Sequence, residues 1–220
     1  NLGAGISTLA LNKKRSTVLD YKFIVATDCG GVFLCDSEQS SRSTLQNRSA
    51  NFENEPDLLD PVVNTFEGHI GPVTKVEFCP FSNDIFMSCG CDGRLFIRDR
   101  DQFEPLRILE VSIGALNSVA WSNGRPSTIL CGNSNGELIF INLFNENGYF
   151  SKIWHANSSL SSMNHPVGIT DLSFNSSPGK ADWLAVGDSS GALHILQIVD
   201  ETESSPTDDF RLLDILRKRH

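Results

Sequence analysis

One run of about thirty residues restricts this chain more than any other feature. Gly68-His69 precedes an alternating segment, Val73-Thr-Lys-Val-Glu-Phe78. A second apolar segment ends at Ser88, a turn carries Asp92-Gly93, and Leu95-Phe-Ile-Arg98-Asp99 follows. Asp-Gly suits a tight hairpin turn whose backbone needs positive φ. A hairpin of this kind carries His69, Ser88 and Asp92 to one end of an antiparallel sheet. There their side chains can form a relay that fixes the incoming loop against the turn, with Asp99 supporting the turn after the third strand. A sheet with alternating faces must then be covered by another layer.

The same unit recurs. First strands read Ile6–Leu11, Val73–Phe78, Leu116–Trp121 and Ile169–Phe174. Second strands follow at Phe23–Ala26, Ile85–Ser88, Thr128–Cys131 and Trp183–Val186, each closed by a turn carrying Gly30, Gly93, Gly136 or Gly191. Third strands are Val32–Cys35, Leu95–Arg98, Leu138–Ile141 and Leu193–Leu196. Three copies add a fourth strand, near Val62–Phe66, Leu106–Val111 and Phe150–Trp154. The polar positions decay outside the second copy. His165 and Ser190 stand in the last, Ser112 and Asn135 in the third, Leu2 and Cys29 in the first.

Gly-His, a Gly turn and a closing Asp at this spacing are similar to a WD-repeat β-propeller blade. The expected fold is therefore all-β, with residues 1–200 forming blades of such a propeller. Arg98 replaces the Trp usual before the closing Asp, which predicts a shortened relay. Four copies fall short of the roughly seven blades most such rings use. The expectation is a set of C-terminal blades from a larger ring; a closed four-blade ring is the alternative.

Two segments lie outside the repeat. Residues 37–61 form an insertion rich in Ser and Asn, then acidic, which reads as a solvated loop or a docking or phosphorylation segment. Residues 201–220 read as a polar linker and a short helix over Asp208–Arg219. Acids at its start and Arg217-Lys218-Arg219 at its end suit the helix dipole. The alternative makes Phe210–Leu216 the outer strand of the last blade.

The net charge of −9 argues against general nucleic-acid binding. No apolar run approaches the roughly eighteen residues of a membrane helix, so membrane insertion is not expected. The chain does not begin with Met and opens on no signal-peptide pattern, so a start inside a longer protein is expected. The six cysteines lie on apolar strands or in turns. Cys89-x-Cys91 is too tight for a zinc knuckle, and a reduced, cytosolic setting is expected. Three Asn-x-Ser sequences, at Asn47, Asn157 and Asn175, read as ordinary loop sequence.

No catalytic constellation, cofactor loop or metal spacing is legible, so neither an enzyme nor a bound cofactor is expected. Gly30-Gly31 lies between strands rather than before a helix, unlike a phosphate loop. Propellers bind through loops at the two ends of the central channel. Candidate contacts are Pro80, Phe81 and Ser82 at one end, and Asp92, Arg94, Asn133 and Asn135 at the other. Phe81 is the leading anchor, or else a core residue closing its own blade.

Three segments resemble the dynein intermediate chain family. One runs Phe66-Glu-Gly-His-Ile-Gly-Pro-Val73 through Phe78-Cys-Pro-Phe81 to Ile85-Phe-Met-Ser-Cys89. The second is Val119-Ala-Trp121 with Arg125-Pro126, and the third Leu172-Ser-Phe-Asn175 with Leu184-Ala-Val-Gly-Asp188-Ser-Ser-Gly191. The resemblance spans roughly residues 20–198 and leans toward the intraflagellar-transport subgroup. It implies a non-catalytic scaffold that binds the tail of the dynein heavy chain. It also implies other intermediate chains and light chains as partners, and a cytoplasmic, cytoskeletal location that includes the cilium. A generic WD-repeat adaptor, such as a ubiquitin-ligase receptor or trafficking coat subunit, is the competing reading.

Overall fold

The computed structural model describes residues 4–12, 22–37, 60–143, 149–156, 167–175, 182–198 and Leu216. The first sheet holds β1 (Ile6–Leu11), β2 (Lys22–Thr27), β3 (Val32–Asp36) and β4 (Val62–Phe66). The second holds β5 (Val73–Phe78), β6 (Ile85–Gly90), β7 (Arg94–Asp99) and β8 (Arg107–Glu110). The third holds β9 (Leu116–Trp121), β10 (Thr128–Asn133), β11 (Glu137–Asn142) and β12 (Tyr149–His155). The last comprises β13 (Ile169–Phe174), β14 (Asp182–Asp188) and β15 (Leu193–Ile198). Each sheet is an antiparallel meander in chain order, as the fourfold repeat predicts.

The strand sequences follow from their place in the stack. β6 and β10 are buried at every position. Covered on both faces, they read as near-continuous apolar runs, whereas a half-exposed strand alternates. On β6, Phe86 packs with Ile24, Val32 and Phe66 of the first sheet. Its neighbours Ile85, Met87 and Cys89 pack with Leu116, Val119 and Trp121 of the third. Period-two alternation thus divides one strand between two inter-sheet cores. A third core joins Leu130 and Leu138 to Ile169, Leu184 and Val186.

Adjacent sheets are also locked by backbone contact. Gly93 has φ +73°, and a Cβ there would meet the Ser112 carbonyl oxygen at 2.0 Å. At the equivalent glycines, Gly30 and Gly136, a Cβ would lie 2.2 Å from the carbonyl oxygens of His69 and Val167. Each turn therefore sits beneath the loop that leads into the next sheet. Side chains reach forward in the same direction. Thr74 Oγ1 donates to the Leu116 carbonyl at 2.5 Å, and Asn117 Nδ2 to the Ile169 carbonyl at 2.7 Å.

The pattern stops at the last sheet. Gly191 has φ +86° but nothing within 4 Å of its would-be Cβ. Leu193 and Ile195 of that sheet are 69% and 58% exposed, as are Leu9 and Leu11 of the first at 57% and 61%. A closed four-blade ring would bury these faces; among the described residues both end sheets leave them exposed, as an arc of four sheets would.

The insertion lies outside the described residues over 38–59, and the C-terminal segment over 199–215 and 217–220. Leu216 itself is helical and buried, in the core between the second and third sheets.

The junction geometry sets a paired prediction. Gly191→Ala has only the left-handed backbone cost, about 1–2 kcal/mol. Gly93→Ala adds a collision with backbone and costs about 3 kcal/mol or more. Denaturant unfolding of the two variants should separate them; equal losses would mean the Ser112 loop yields freely.

Candidate functional site

The second sheet carries the best-formed polar cluster. His69 is held in the loop before β5, Ser88 on β6 and Asp92 in the β6–β7 turn. His69 Nε2 lies 2.9 Å from Ser88 Oγ, and its Nδ1 lies 3.1 Å from both Asp92 carboxylate oxygens. Asp92 also accepts the backbone N–H groups of Ile70 at 3.0 Å and Arg94 at 3.2 Å. Gly90 makes room for this cluster, since a Cβ there would lie 3.0 Å from His69 Nδ1 and 2.9 Å from the Pro72 carbonyl oxygen. Asp99 stands apart from the cluster. It supports the following turn, accepting the Asp101 N–H at 3.1 Å.

Arg98 corrects the expectation of a shortened relay. Its side chain is fully buried, and Nε donates to Ser88 Oγ at 3.4 Å. Nη2 donates to the Glu67 carbonyl at 2.5 Å. The guanidinium lies 4.6 Å from the Phe96 ring centroid, and the His69 ring stacks on Phe96 at 4.2 Å. Arginine, like an indole, offers only donors here. Asp92, its pKa lowered, can only accept, so His69 Nδ1 carries a proton, and in the neutral imidazole Nε2 is left to accept from the Ser88 hydroxyl, whose oxygen accepts from Arg98. His69 is thus neutral, protonated at Nδ1, and donates to Asp92. Burial lowers the His69 pKa against the pull of Asp92. Burial also pulls the Arg98 pKa down to about 10, opposed by the Glu67 carboxylate. Arg98 Nη1 is buried without a hydrogen-bond partner, so this extended relay carries a desolvation cost that an indole would not.

The other sheets lock their turns from a different position, which motif matching missed. Asn133 Oδ1 accepts the N–H groups of Asn135 at 3.0 Å and Glu137 at 2.9 Å. Its Nδ2 donates to Ser112 Oγ at 3.0 Å in the incoming loop. Asp188 Oδ1 accepts the N–H groups of Ser190 at 2.9 Å and Ala192 at 3.0 Å. The Ser190 hydroxyl, His194 and those backbone donors hold the Asp188 pKa down to about 2. Thr27 Oγ1 accepts the Gly31 N–H at 3.0 Å. Thr27, Asn133 and Asp188 each stand three residues before the turn glycine, where the second sheet has Gly90. A polar residue at that offset is the signal that would have found them. Leu2 and His165, placed at the incoming-loop position of their copies, lie outside the described residues.

The proposed contact residues separate by burial. Asn133 and Ser82 are buried, and both are spent on turns. Neither side chain is exposed in this structure. Phe81 is half-buried against the core between the second and third sheets. Pro80 and Arg94 are half-buried, and Asn135 is exposed. Arg94 pairs with Glu110 at 2.9 Å.

A cavity of about 720 Å³ lies along the inner strands β1, β5 and β13. Lys75 crosses it to Asp171 at 2.5 Å, and Glu77 accepts the Trp121 N–H at 3.1 Å. These charges tie strands together. Cys35, Cys79, Cys89 and Cys131 are buried, and Cys29 and Cys91 exposed; none of the six is in a disulfide. Burial pushes the Cys89 thiol up to about 12. Among the described residues no group of His, Cys, Asp and Glu has a metal-binding arrangement, and no helix is long and apolar enough to cross a membrane.

Repeated four-stranded sheets, glycine turns beneath incoming loops and a His–Ser–Asp relay define a WD-repeat β-propeller segment. No family model matches the chain. It is 30% identical over 159 residues to cytoplasmic dynein 2 intermediate chain 2 of Mus musculus, covering 68% of this chain and 26% of that protein. It is 25% identical over 142 residues to dynein axonemal intermediate chain 4 of Homo sapiens, covering 62% and 15%. The crystal structure of the computationally designed Ika4 protein shares the fold, with a TM-score of 0.58 at 16% identity over 90% of this chain and 94% of that one. The chain belongs to the dynein intermediate chain family, and spans about a quarter of the dynein 2 relatives it matches.

The relay makes stability pH-dependent. His69 has a lowered pKa when folded, so the unfolded chain binds more protons near its free value of about 6.5. Stability is therefore full above that pH and falls as the pH drops toward the folded value. His69→Ala should cost about 1–3 kcal/mol at neutral pH and flatten the loss between pH 7 and 5. Thermal melts across that range check both statements; an unchanged slope would mean another group titrates.

Proposed function

We propose that this chain is part of a dynein complex subunit, a non-catalytic scaffold whose propeller binds the heavy-chain tail. The transport it serves is microtubule-based, and the dynein 2 relatives favour the intraflagellar branch. The observation that carries this reading is the match to dynein 2 intermediate chain 2 across 68% of the chain. The run from Gly68 to Cys89 supports it, because it folds as the loop, inner strand and relay of the second sheet. The ionisable side chains of the inner cavity are engaged in structural contacts, which supports a platform rather than a catalyst.

The ring extends beyond these four sheets. Gly191 has the geometry of a junction glycine with no described loop above it, and two apolar faces lie exposed among the described residues. Further sheets of the same longer protein would cover them, giving about seven blades in all. In that longer protein the cost of Gly191→Ala should rise to match that of Gly93→Ala.

The functional test is co-purification of the full-length protein from ciliated cells, followed by identification of its partners. Dynein heavy, intermediate and light chains are the expected recovery. Recovery of ligase or coat subunits without any dynein chain would overturn the reading in favour of a generic adaptor.

A further inference from the structure

The two best-placed exposed apolar side chains lie at equivalent positions on neighbouring blades. Ile70 precedes β5 by three residues and Ile113 precedes β9 by three. Ile70 is 74% exposed and Ile113 wholly so. Their surroundings repeat as well, since Glu67 and Glu110 each stand three residues before the isoleucine, and both are exposed. A large aliphatic side chain turned to water twice, at the same register, has no role in packing the blades.

Both loops are held by hydrogen bonds. The Ile70 N–H donates to Asp92 Oδ2 at 3.0 Å, which ties that loop to the relay. Ser112 Oγ accepts from Asn133 at 3.0 Å and from the Gly114 N–H at 3.1 Å, which ties the other. A depression of about 410 Å³ runs from Asp92 and Arg94 to Glu110 and Ile113. Apolar anchors held in place beforehand lose little entropy on binding, and a small apolar cluster with a polar rim is how interfaces concentrate affinity.

Charge selects the occupant. The cation bordering the depression, Arg94, is already paired with Glu110. Exposed Asp28 and Glu67 add negative charge on the turn and loop of the same end, in a chain of net charge −9. We infer that the end of the propeller bearing Ile70 and Ile113 docks a basic amphipathic segment of a protein partner. Its apolar residues cover the two isoleucines and its lysines or arginines face Glu67 and Asp28, and compete with Arg94 for Glu110. This rests on the reading of the propeller as a docking platform, and it moves the anchor from Phe81 to the opposite end. Anionic membrane is disfavoured by the same negative charge.

The test uses the full-length protein and a fluorescent helical peptide of alternating leucine pairs and lysine pairs, followed by anisotropy at physiological salt. A matched peptide with glutamate for lysine controls for charge. Ile70→Ser with Ile113→Ser should weaken binding of the lysine peptide about tenfold or more, with an unchanged melting temperature because both side chains are exposed. Glu110→Lys should weaken it comparably, and Trp183→Ser, which removes a partly exposed aromatic from the start of β14, at the opposite end from the turn glycines, should not. Wild-type binding by the double serine variant, or equal binding of the glutamate peptide, would overturn the inference. So would recovery on phosphatidylserine vesicles that depends on the isoleucines. If the peptide binds as expected while no dynein chain co-purifies, the docking surface stands and the motor assignment fails.

Discussion

Everything in this arc depends on how closely the turn of one sheet approaches the loop of the next. Gly30, Gly93 and Gly136 each lie so near a carbonyl oxygen of the following loop that no β-carbon fits. That approach sets the spacing between sheets, and the spacing sets which side chains can fill the gap. Phe86 toward one neighbour and Met87 toward the other meet matched partners because the gap is fixed. The incoming loop is in turn held by its own sheet, through His69 in the second and Ser112 in the third. Packing and polar locking are therefore one system. Loosening a lock frees a loop, and the freed loop no longer seats the turn behind it.

The fold was largely legible because it is repetitive. The starts of the four inner strands and the four turn glycines were readable from period-two alternation and Gly spacing, since a buried strand and a tight turn each impose a local rule. Strand ends extended by one or two residues where the pairing partner was longer. The polar chemistry was less legible. His69, Ser88 and Asp92 are legible from a motif, but Asn133 reads as a partner contact and Asp188 only as part of a family-like run, because the motif draws the eye to the residue next to the turn glycine. Three residues earlier a side chain can accept the same turn N–H groups, so the lock survives the loss of its better-known members. Exposure was not legible at all. Nothing local distinguishes Ile70 from a core isoleucine, or Asn133 from a surface asparagine.

Arg98 shows how a substitution at a patterned position can be absorbed. A donor was needed for Ser88, and arginine brings one along with a charge. The charge is offset by Glu67, by the Glu67 carbonyl and by the face of Phe96. Geometry is kept while the electrostatic cost of the blade rises, and the orphaned Nη1 is where that cost is visible.

The forward direction of the junctions gives the arc a polarity. Each sheet carries a finished socket for its successor, and the successor carries the loop that fills it. A chain emerging from the ribosome would therefore meet each socket already built, and could dock blade by blade without waiting for its far end. Mechanical load has the opposite sense. Among the described residues the last sheet is held on one side, so within these four sheets a pull on the C-terminal side would peel them in reverse order of synthesis, one ratchet tooth at a time.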